Sequence, residues 1–158
     1  MIYLKLLGGG LIVFSGGFAA YTMAHTERRR LTVLEAWIDL ILFIRAQIDC
    51  YLMPLDEILA QADENILRAC ACRTPHPNLS SLLSSSRQYL SEEARRLITS
   101  FVKEIGGGYR EEQLRRCDYY ITALRAERNK LASALPSRIR LSVSLCLCAS
   151  LGAFILLW

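Results

Sequence analysis

Cysteine and histidine are the residues of this sequence with the most chemical potential. Cys70 and Cys72 form a C-A-C motif that is followed by His76, and thiolate and imidazole groups are ligands of zinc. A structural zinc site needs four ligands, and no fourth one stands at a suitable spacing, so we predict no metal. The two cysteines could instead form a redox pair, which would require an oxidising compartment.

The remaining polar motifs do not form a catalytic constellation. A nucleophile needs a base beside it, and only His25 and His76 are histidines. The paired glutamates at 92–93 and 111–112 are neighbours that point apart on a helix, which is typical of helix caps. The glycines at 106–108 lack the strand before them and the Lys-Ser/Thr after them that a phosphate loop has. We therefore predict a protein that is not an enzyme and binds no cofactor.

Charge and hydropathy are segregated along the chain. All the acidic residues lie between Glu27 and Glu127, whereas the two ends are apolar and the mean hydropathy is +0.25. The net charge of +4 is too small to indicate a nucleic-acid partner. Residues 1–24 and 141–158 each have the length and composition of a membrane-spanning helix. Residues 25–140 then form a polar domain between the two spans.

Small residues recur four apart in both apolar ends, a spacing that lets helices approach closely in lipid. We hypothesise that the two spans pack along these ridges, which consist of Gly16, Ala20 and Ala24 in the first and Ser142, Cys146 and Ser150 in the second.

Basic residues next to the apolar ends predict the orientation in a membrane. Arginines and lysines are retained on the cytoplasmic side, and only Lys5 lies on the outer side of either span. The polar domain is therefore predicted to be cytoplasmic in a two-pass protein. A cleavable signal peptide with a cut near Ala24 is the alternative, and it would export the domain. The arginines that determine the orientation are Arg28, Arg29, Arg30, Arg138 and Arg140.

Apolar residues at helical spacing predict an all-α middle domain, an antiparallel bundle of about four helices. The first helix covers 27–52, with a seam formed by Leu34, Trp37, Ile41, Ile44, Ile48 and Tyr51. Pro54 is expected to open a second helix that ends near Cys70 or Cys72. The serine-rich stretch at 73–89 is interpreted as a solvent loop with one short turn capped by Asn78. A third helix follows Ser91 and ends before three glycines, and the last begins near Glu111 and is separated from the second span by Pro136.

The order of these features resembles the stage III sporulation protein AB family of endospore-forming bacteria. That family has an N-terminal span, a basic junction and a periodic helix that leads into a proline turn. The matching residues here are Glu27, Arg28, Arg30, Ile48, Tyr51, Pro54, Leu55 and Glu57. A second motif matches at Phe101, Ile105, Gly106 and Gln113, and the C-terminal span has the family's early glycine. Gln47 and Tyr109 stand where the family has acidic residues.

The resemblance implies a role in the assembly that joins mother cell and forespore and supports late forespore gene expression. It places the protein in the mother-cell membrane around the forespore. The family's soluble region is similar to cytoplasmic domains of type II secretion and type IV pilus platform proteins, which sit beside a secretion-type ATPase. The implied partners are therefore the lipid bilayer, that ATPase and other membrane subunits of the same complex.

Exposed charged residues near the two turns are the candidate partner contacts. They are Asp56, Glu57, Arg95, Arg96, Lys103 and Gln113. Two alternatives stay open: an exported, membrane-anchored thiol protein that uses Cys70 and Cys72, and a homo-oligomeric membrane scaffold without an ATPase partner.

The predicted orientation can be tested with a protease. We expect trypsin added outside sealed spheroplasts to leave residues 26–137 intact, because the arginines keep this domain inside. Immunoblotting of the fragment gives the readout, and lysed spheroplasts are the control in which the domain should be cut. Digestion in the sealed sample would contradict the orientation.

Overall fold

The computed structural model describes residues 2–50, 54–70 and 78–157. Over these ranges it contains six helices and no strand, so the predicted all-α class is confirmed. The chain divides into a terminal unit, Met1–Arg28 with Ala132–Trp158, and a middle unit, Arg29–Leu131. The helices are α1 (Ile2–Cys50), α2 (Leu55–Ala60), α3 (Glu64–Ala69), α4 (Leu79–Ser86), α5 (Glu92–Glu104) and α6 (Arg110–Leu157).

The apolar seam of α1 is the centre of the middle unit. Its members pack with their side chains almost wholly buried, and full burial of one such aliphatic side chain stabilises a fold by about 1.5–3 kcal/mol. The predicted seam is confirmed at Leu34, Trp37, Ile41, Ile44 and Ile48, and the seam is widened by Val33 and Leu40. Tyr51, the last predicted member, lies outside the described residues.

α6 runs antiparallel to α1 within the middle unit. Arg45 donates from Nε and Nη2 to the two carboxylate oxygens of Asp118 at 2.6 and 3.2 Å, and this contact raises the pKa of Arg45. Arg128 Nε lies 3.2 Å from Glu35 in an electrostatic contact without hydrogen-bond geometry. The partners follow opposite orders along the two helices, as antiparallel packing requires: Glu35–Arg128, Arg45–Asp118 and Asp49–Arg110.

The predicted second helix is interrupted. Pro54 is the N-cap of α2 as expected, and Ile58 and Leu59 are buried, but α2 ends at Ala60 and α3 begins only at Glu64. The cause is Asp63, whose carboxylate accepts a hydrogen bond from the Asn65 amide at 2.8 Å. A side-chain acceptor at this position starts a new helix, and the prediction of one helix to Cys70 or Cys72 was therefore wrong.

The serine-rich stretch contains a helix, so its interpretation as a solvent loop was wrong over α4. Asn78 caps this helix in a reciprocal capping box with Ser81, which satisfies amide groups at the N-terminus. Leu79 and Leu82 are at most 2% exposed. Their burial supplies the stabilisation that serine, a weak helix former, does not. Residues 71–77 lie outside the described part of the chain.

One buried hydrogen bond connects α4 to α1. The Nε1–H of Trp37 donates to the Oγ of Ser86 at 3.0 Å, and both residues are wholly buried. The Ser86 hydroxyl in turn donates to the Leu82 carbonyl at 2.8 Å. The indole N–H is therefore satisfied inside the core, where an unpaired donor would be costly.

α5 and the turn after it follow the prediction. The Ser91 side chain accepts a hydrogen bond from the Ala94 amide at 3.2 Å, and Ala94 and Phe101 are buried. Gly106 and Gly108 have φ values of 93° and 100°, a region that side-chain-bearing residues rarely adopt. The three glycines are therefore a helix stop, as predicted.

Pro136 does not separate α6 from the C-terminal segment, and this prediction was wrong. α6 continues through Pro136 to Leu157. Proline removes one backbone hydrogen bond and costs about 3 kcal/mol inside a helix. In this 48-residue helix the ladder of hydrogen bonds on both sides maintains the conformation.

The terminal unit carries large apolar side chains on its outside. Phe18 and Tyr21 of α1 are 64% and 67% exposed, and Leu145 and Ile155 of α6 are 63% and 72% exposed. Among the described residues, one helical stretch, Arg110–Ser150, is long and apolar enough over part of its length to cross a bilayer. Of the hypothesised ridges, Ser150 is buried and Ser142 and Cys146 are half-buried, while the side chains of Gly16 and Ala20 are outside the described set.

The hydrogen bond between Trp37 and Ser86 can be tested by Ser86→Ala. We expect the free energy of unfolding to fall by about 1–3 kcal/mol, because the indole N–H loses its buried acceptor. Denaturant unfolding of the full chain in detergent, followed by tryptophan fluorescence, measures the change. Ser85→Ala is the matched control, since Ser85 is exposed and its loss should change stability by less than about 0.5 kcal/mol. Equal effects of the two substitutions would contradict the role of Ser86.

Candidate partner-binding surface

On the basic face of α5, ion pairs define the positions of two of the predicted contact residues. Arg95 and Arg96 both pair with Glu92, one turn earlier on the helix. The hydrogen bond from Arg95 holds the pKa of the Glu92 carboxyl below its usual value. Arg96 is 76% exposed, whereas Arg95 is only 31% exposed. Arg96 therefore faces solvent as predicted, and Arg95 lies partly covered.

Local sequence explains why these charges stand where they do. Ser91 and the two glutamates that follow it occupy the N-terminus of α5, where the helix dipole favours negative charge. The arginines come one turn later and are attracted to the Glu92 carboxylate. Lys103 is exposed in the last turn, where the dipole favours a cation.

The predicted acidic contacts are located on another element. Asp56 and Glu57 are exposed in the first turn of α2, and the buried residues Ile58 and Leu59 hold that turn against the core. Of the ion pairs found among the described residues, none joins these two carboxylates to α5. Among the described residues, ion pairs therefore do not join the acidic candidates on α2 to the basic candidates on α5.

Gln113 supports the glycine turn. Its Nε2 donates to the Gly108 carbonyl at 3.3 Å and its side chain is half-buried. Arg116 reinforces the same turn by donating to the Glu104 carbonyl at 2.6 Å and to Glu112 at 2.5 Å. Arg116 was not among the predicted residues, and its spacing from Glu112 on one helix face was the available signal.

Arg87 is the basic residue that sequence reasoning missed. It follows α4 as its C-cap, it is exposed, and its charge also contributes to lowering the pKa of Glu92. Three arginines, Arg87, Arg95 and Arg96, therefore act on one carboxylate. The helical spacing of Leu79, Leu82 and Leu83 was the signal in the sequence that this stretch forms a helix packed on a neighbour. Arg87 follows directly after that helix.

The arginines predicted to fix the orientation differ in their surroundings. Arg28, Arg29 and Arg140 are exposed and Arg30 is half-buried. The Arg29 guanidinium lies 4.7 Å from the centre of the Tyr89 ring, a cation–π contact worth about 0.5–1 kcal/mol at an exposed site. The side chain of Arg138 is outside the described part.

Two cysteine thiols are inaccessible. Cys70 and Cys117 are 0% exposed, and burial raises the pKa of Cys117 to about 11. Reactive thiols need access and a low pKa, so neither residue has the surroundings of a redox centre. Among the described residues no group of three or more candidate ligands could hold a metal. Cys72 and His76, which completed the metal motif, lie outside those residues.

Comparison with known proteins identifies one related family. Over the residues that the structure describes, the regular structure is helical, with apolar ends and a charged middle. The family model of stage III sporulation protein AB matches residues 5–72, and this confirms the resemblance stated from the sequence over that part of the chain. The match covers α1, α2 and α3. The name of that family refers to stage III of sporulation, and the family is one of complex components and not a known enzyme family. No curated protein and no solved structure matches the chain.

The difference between accessible and buried thiols can be measured by alkylation. We expect iodoacetamide at pH 8 to modify Cys50, which is exposed, and to spare Cys117. With its pKa near 11, only about one in a thousand Cys117 groups is thiolate at that pH. Mass spectrometry of the full chain in detergent gives the site occupancies. The denatured chain is the control in which both react, and equal rates in the folded chain would contradict the burial.

Proposed function

We propose that this protein is a two-pass membrane component of the stage III sporulation assembly, and that its middle unit is a cytoplasmic adaptor. The middle unit would bind the secretion-type ATPase and connect it to other membrane subunits of the complex. The protein would perform no reaction itself. The family match over residues 5–72 supports the sporulation role.

The observation that carries the membrane part of the proposal is the apolar exterior of the terminal unit. Phe18, Tyr21, Leu141 and Leu145 are all more than 60% exposed. A soluble protein rarely leaves that much apolar surface in water, and contiguous exposed patches mark interaction or membrane sites. In a bilayer these side chains would contact lipid, and their exposure would cost nothing.

The arginines next to the apolar segments support the cytoplasmic orientation. Arg28 and Arg140 are exposed residues near the apolar segments, and translocating such charges across lipid is unfavourable. This orientation places the middle unit in the mother-cell cytoplasm, where a soluble ATPase is accessible. The membrane would be the mother-cell membrane around the forespore.

The surface of the middle unit supports the proposed adaptor role. Its core is packed around α1, and its surface presents charged side chains on α2 and α5. Asp56 and Glu57 on α2 and Arg96 and Lys103 on α5 are exposed and can form charge-complementary contacts, which give specificity to a protein interface. The argument for the ATPase as the partner is the similarity to platform proteins that the family resemblance implies.

Two alternative functions are an exported thiol protein and a homo-oligomeric scaffold, and different observations bear on each. An exported thiol protein would need an accessible Cys70, and this thiol is buried. A homo-oligomeric scaffold without an ATPase partner would use the same surfaces on a second copy. Co-purification with the neighbouring components therefore separates the scaffold from the adaptor.

The proposal is tested by affinity purification of the tagged full-length chain from detergent-solubilised sporulating cells. We expect the secretion-type ATPase to co-purify with the wild type, and Arg95→Glu with Arg96→Glu to reduce its yield at least about fivefold, because two favourable charges become unfavourable. Quantitative mass spectrometry of the eluate gives the ratio of ATPase to bait.

Arg115→Glu with Arg125→Glu is the control, because both arginines are exposed on α6 and the change in net charge is the same. This variant should retain the ATPase. Absence of the ATPase from the wild-type eluate would overturn the adaptor role, and recovery of only the bait would favour the scaffold.

A further inference from the structure

A groove lies between α4 and α5 in the middle unit. It has a volume of about 350 Å³, within the range of sites that take a few side chains of a ligand. Its lining combines two arginines with a leucine and hydroxyl groups. The lining residues are Ser80, Leu83, Ser84, Arg87, Arg95 and Thr99.

The groove carries an excess of positive charge. Among the described residues Arg87 makes no ion pair, and Arg95 shares its one carboxylate partner, Glu92, with Arg96. α4 contains no acidic residue in its first turn, and its sequence carries none at all. Arg87 and Arg95 therefore retain guanidinium N–H donors that no carboxylate of the described chain accepts from.

The hydroxyl groups strengthen the case for arginine as the recognition element. Ser84 Oγ donates to the Ser81 carbonyl at 2.8 Å, and Thr99 Oγ1 donates to the Arg95 carbonyl at 2.7 Å. Their protons are thus engaged within their own helices. The donors left for a ligand come mainly from the guanidinium groups, which bind carboxylates in a bidentate manner.

We propose that this groove binds a short acidic segment of a protein partner, in which carboxylates flank an apolar side chain. The carboxylates contact Arg87 and Arg95, and the apolar side chain packs on Leu83, which is half-buried and lines the same groove. The inference deepens the proposed function by naming the chemistry of the partner's segment, and it rests on that function for the partner's identity.

The leucine in the lining of the groove favours a peptide over other anions. Inorganic phosphate or a lipid headgroup would use the arginines but would leave Leu83 uncovered. A peptide with an acidic–apolar–acidic pattern satisfies both parts of the groove, and the area it buries adds to the charge contacts. The local excess of positive charge would repel basic segments.

The probe for the test is a fluorescein-labelled peptide with the sequence Glu-Glu-Leu-Glu-Glu, titrated with the full-length chain in a neutral detergent and followed by anisotropy. We expect saturable binding that weakens as salt rises, because the contacts are ionic. The matched peptide Gln-Gln-Leu-Gln-Gln should bind at least about tenfold more weakly. Empty micelles serve as the blank for both peptides.

Arg87→Glu with Arg95→Glu should weaken binding of the acidic peptide at least about tenfold. Arg115→Glu with Arg125→Glu, which has the same net charge, should change it less than about twofold. Circular dichroism of both variants verifies that the helices persist. Equal losses in the two variants would overturn the proposal, since attraction would then depend on net charge alone.

Competition distinguishes the other anions. Inorganic phosphate at millimolar concentration, or vesicles containing phosphatidylglycerol, should not displace the peptide from the groove. Displacement by either, with sensitivity to Arg87→Glu, would assign the groove to phosphate groups and overturn the peptide proposal. If the peptide binds but the ATPase does not co-purify, the groove proposal stands and the adaptor role is refuted. If the ATPase still co-purifies with the Arg87→Glu variant, only the groove proposal is refuted.

Discussion

The buried indole of Trp37 is the constraint on which the middle unit depends. A side chain of this size fills the centre of the core, and its one polar group must find an acceptor there. Ser86 supplies that acceptor from the last residue of α4. The requirement fixes one end of α4 on α1, and the leucines of α4 then complete the core beside it. The groove shared by α4 and α5 exists because α4 is held in this place.

Sequence periodicity predicted the parts of the fold in which burial and helix capping agree. The seam of α1 and the Ser91 cap of α5 are examples, because each is a local pattern whose physical meaning does not depend on distant residues. α4 was missed because serine has weak helix propensity, and its helix depends on tertiary contacts with Trp37 that no local pattern shows. The break at Asp63 was missed because a capping carboxylate and a surface carboxylate look alike in a sequence.

The candidate surface, too, could be predicted only where a local sequence pattern reveals it. Arg96 and Lys103 were identified because they lie on the polar face of a strongly amphipathic helix. Arg87 was missed together with α4, and the partial burial of Arg95 followed from the same neighbour. Gln113 was chosen as an exposed contact, but its amide holds the Gly108 carbonyl. Hydrogen bonds between a side chain and a turn depend on backbone conformation, which spacing alone does not give.

The ion pairs between α1 and α6 have a consequence for how the chain avoids misfolding. Two long amphipathic helices can slide past each other by one turn and still bury much of their apolar seams. A slip of four residues would put Asp49 opposite Asp118, the carboxylate that Arg45 now contacts. Like charges would then face each other in place of an attraction. The alternation of sign along α1, from Glu35 through Arg45 to Asp49, thus discriminates against the shifted alignment during folding.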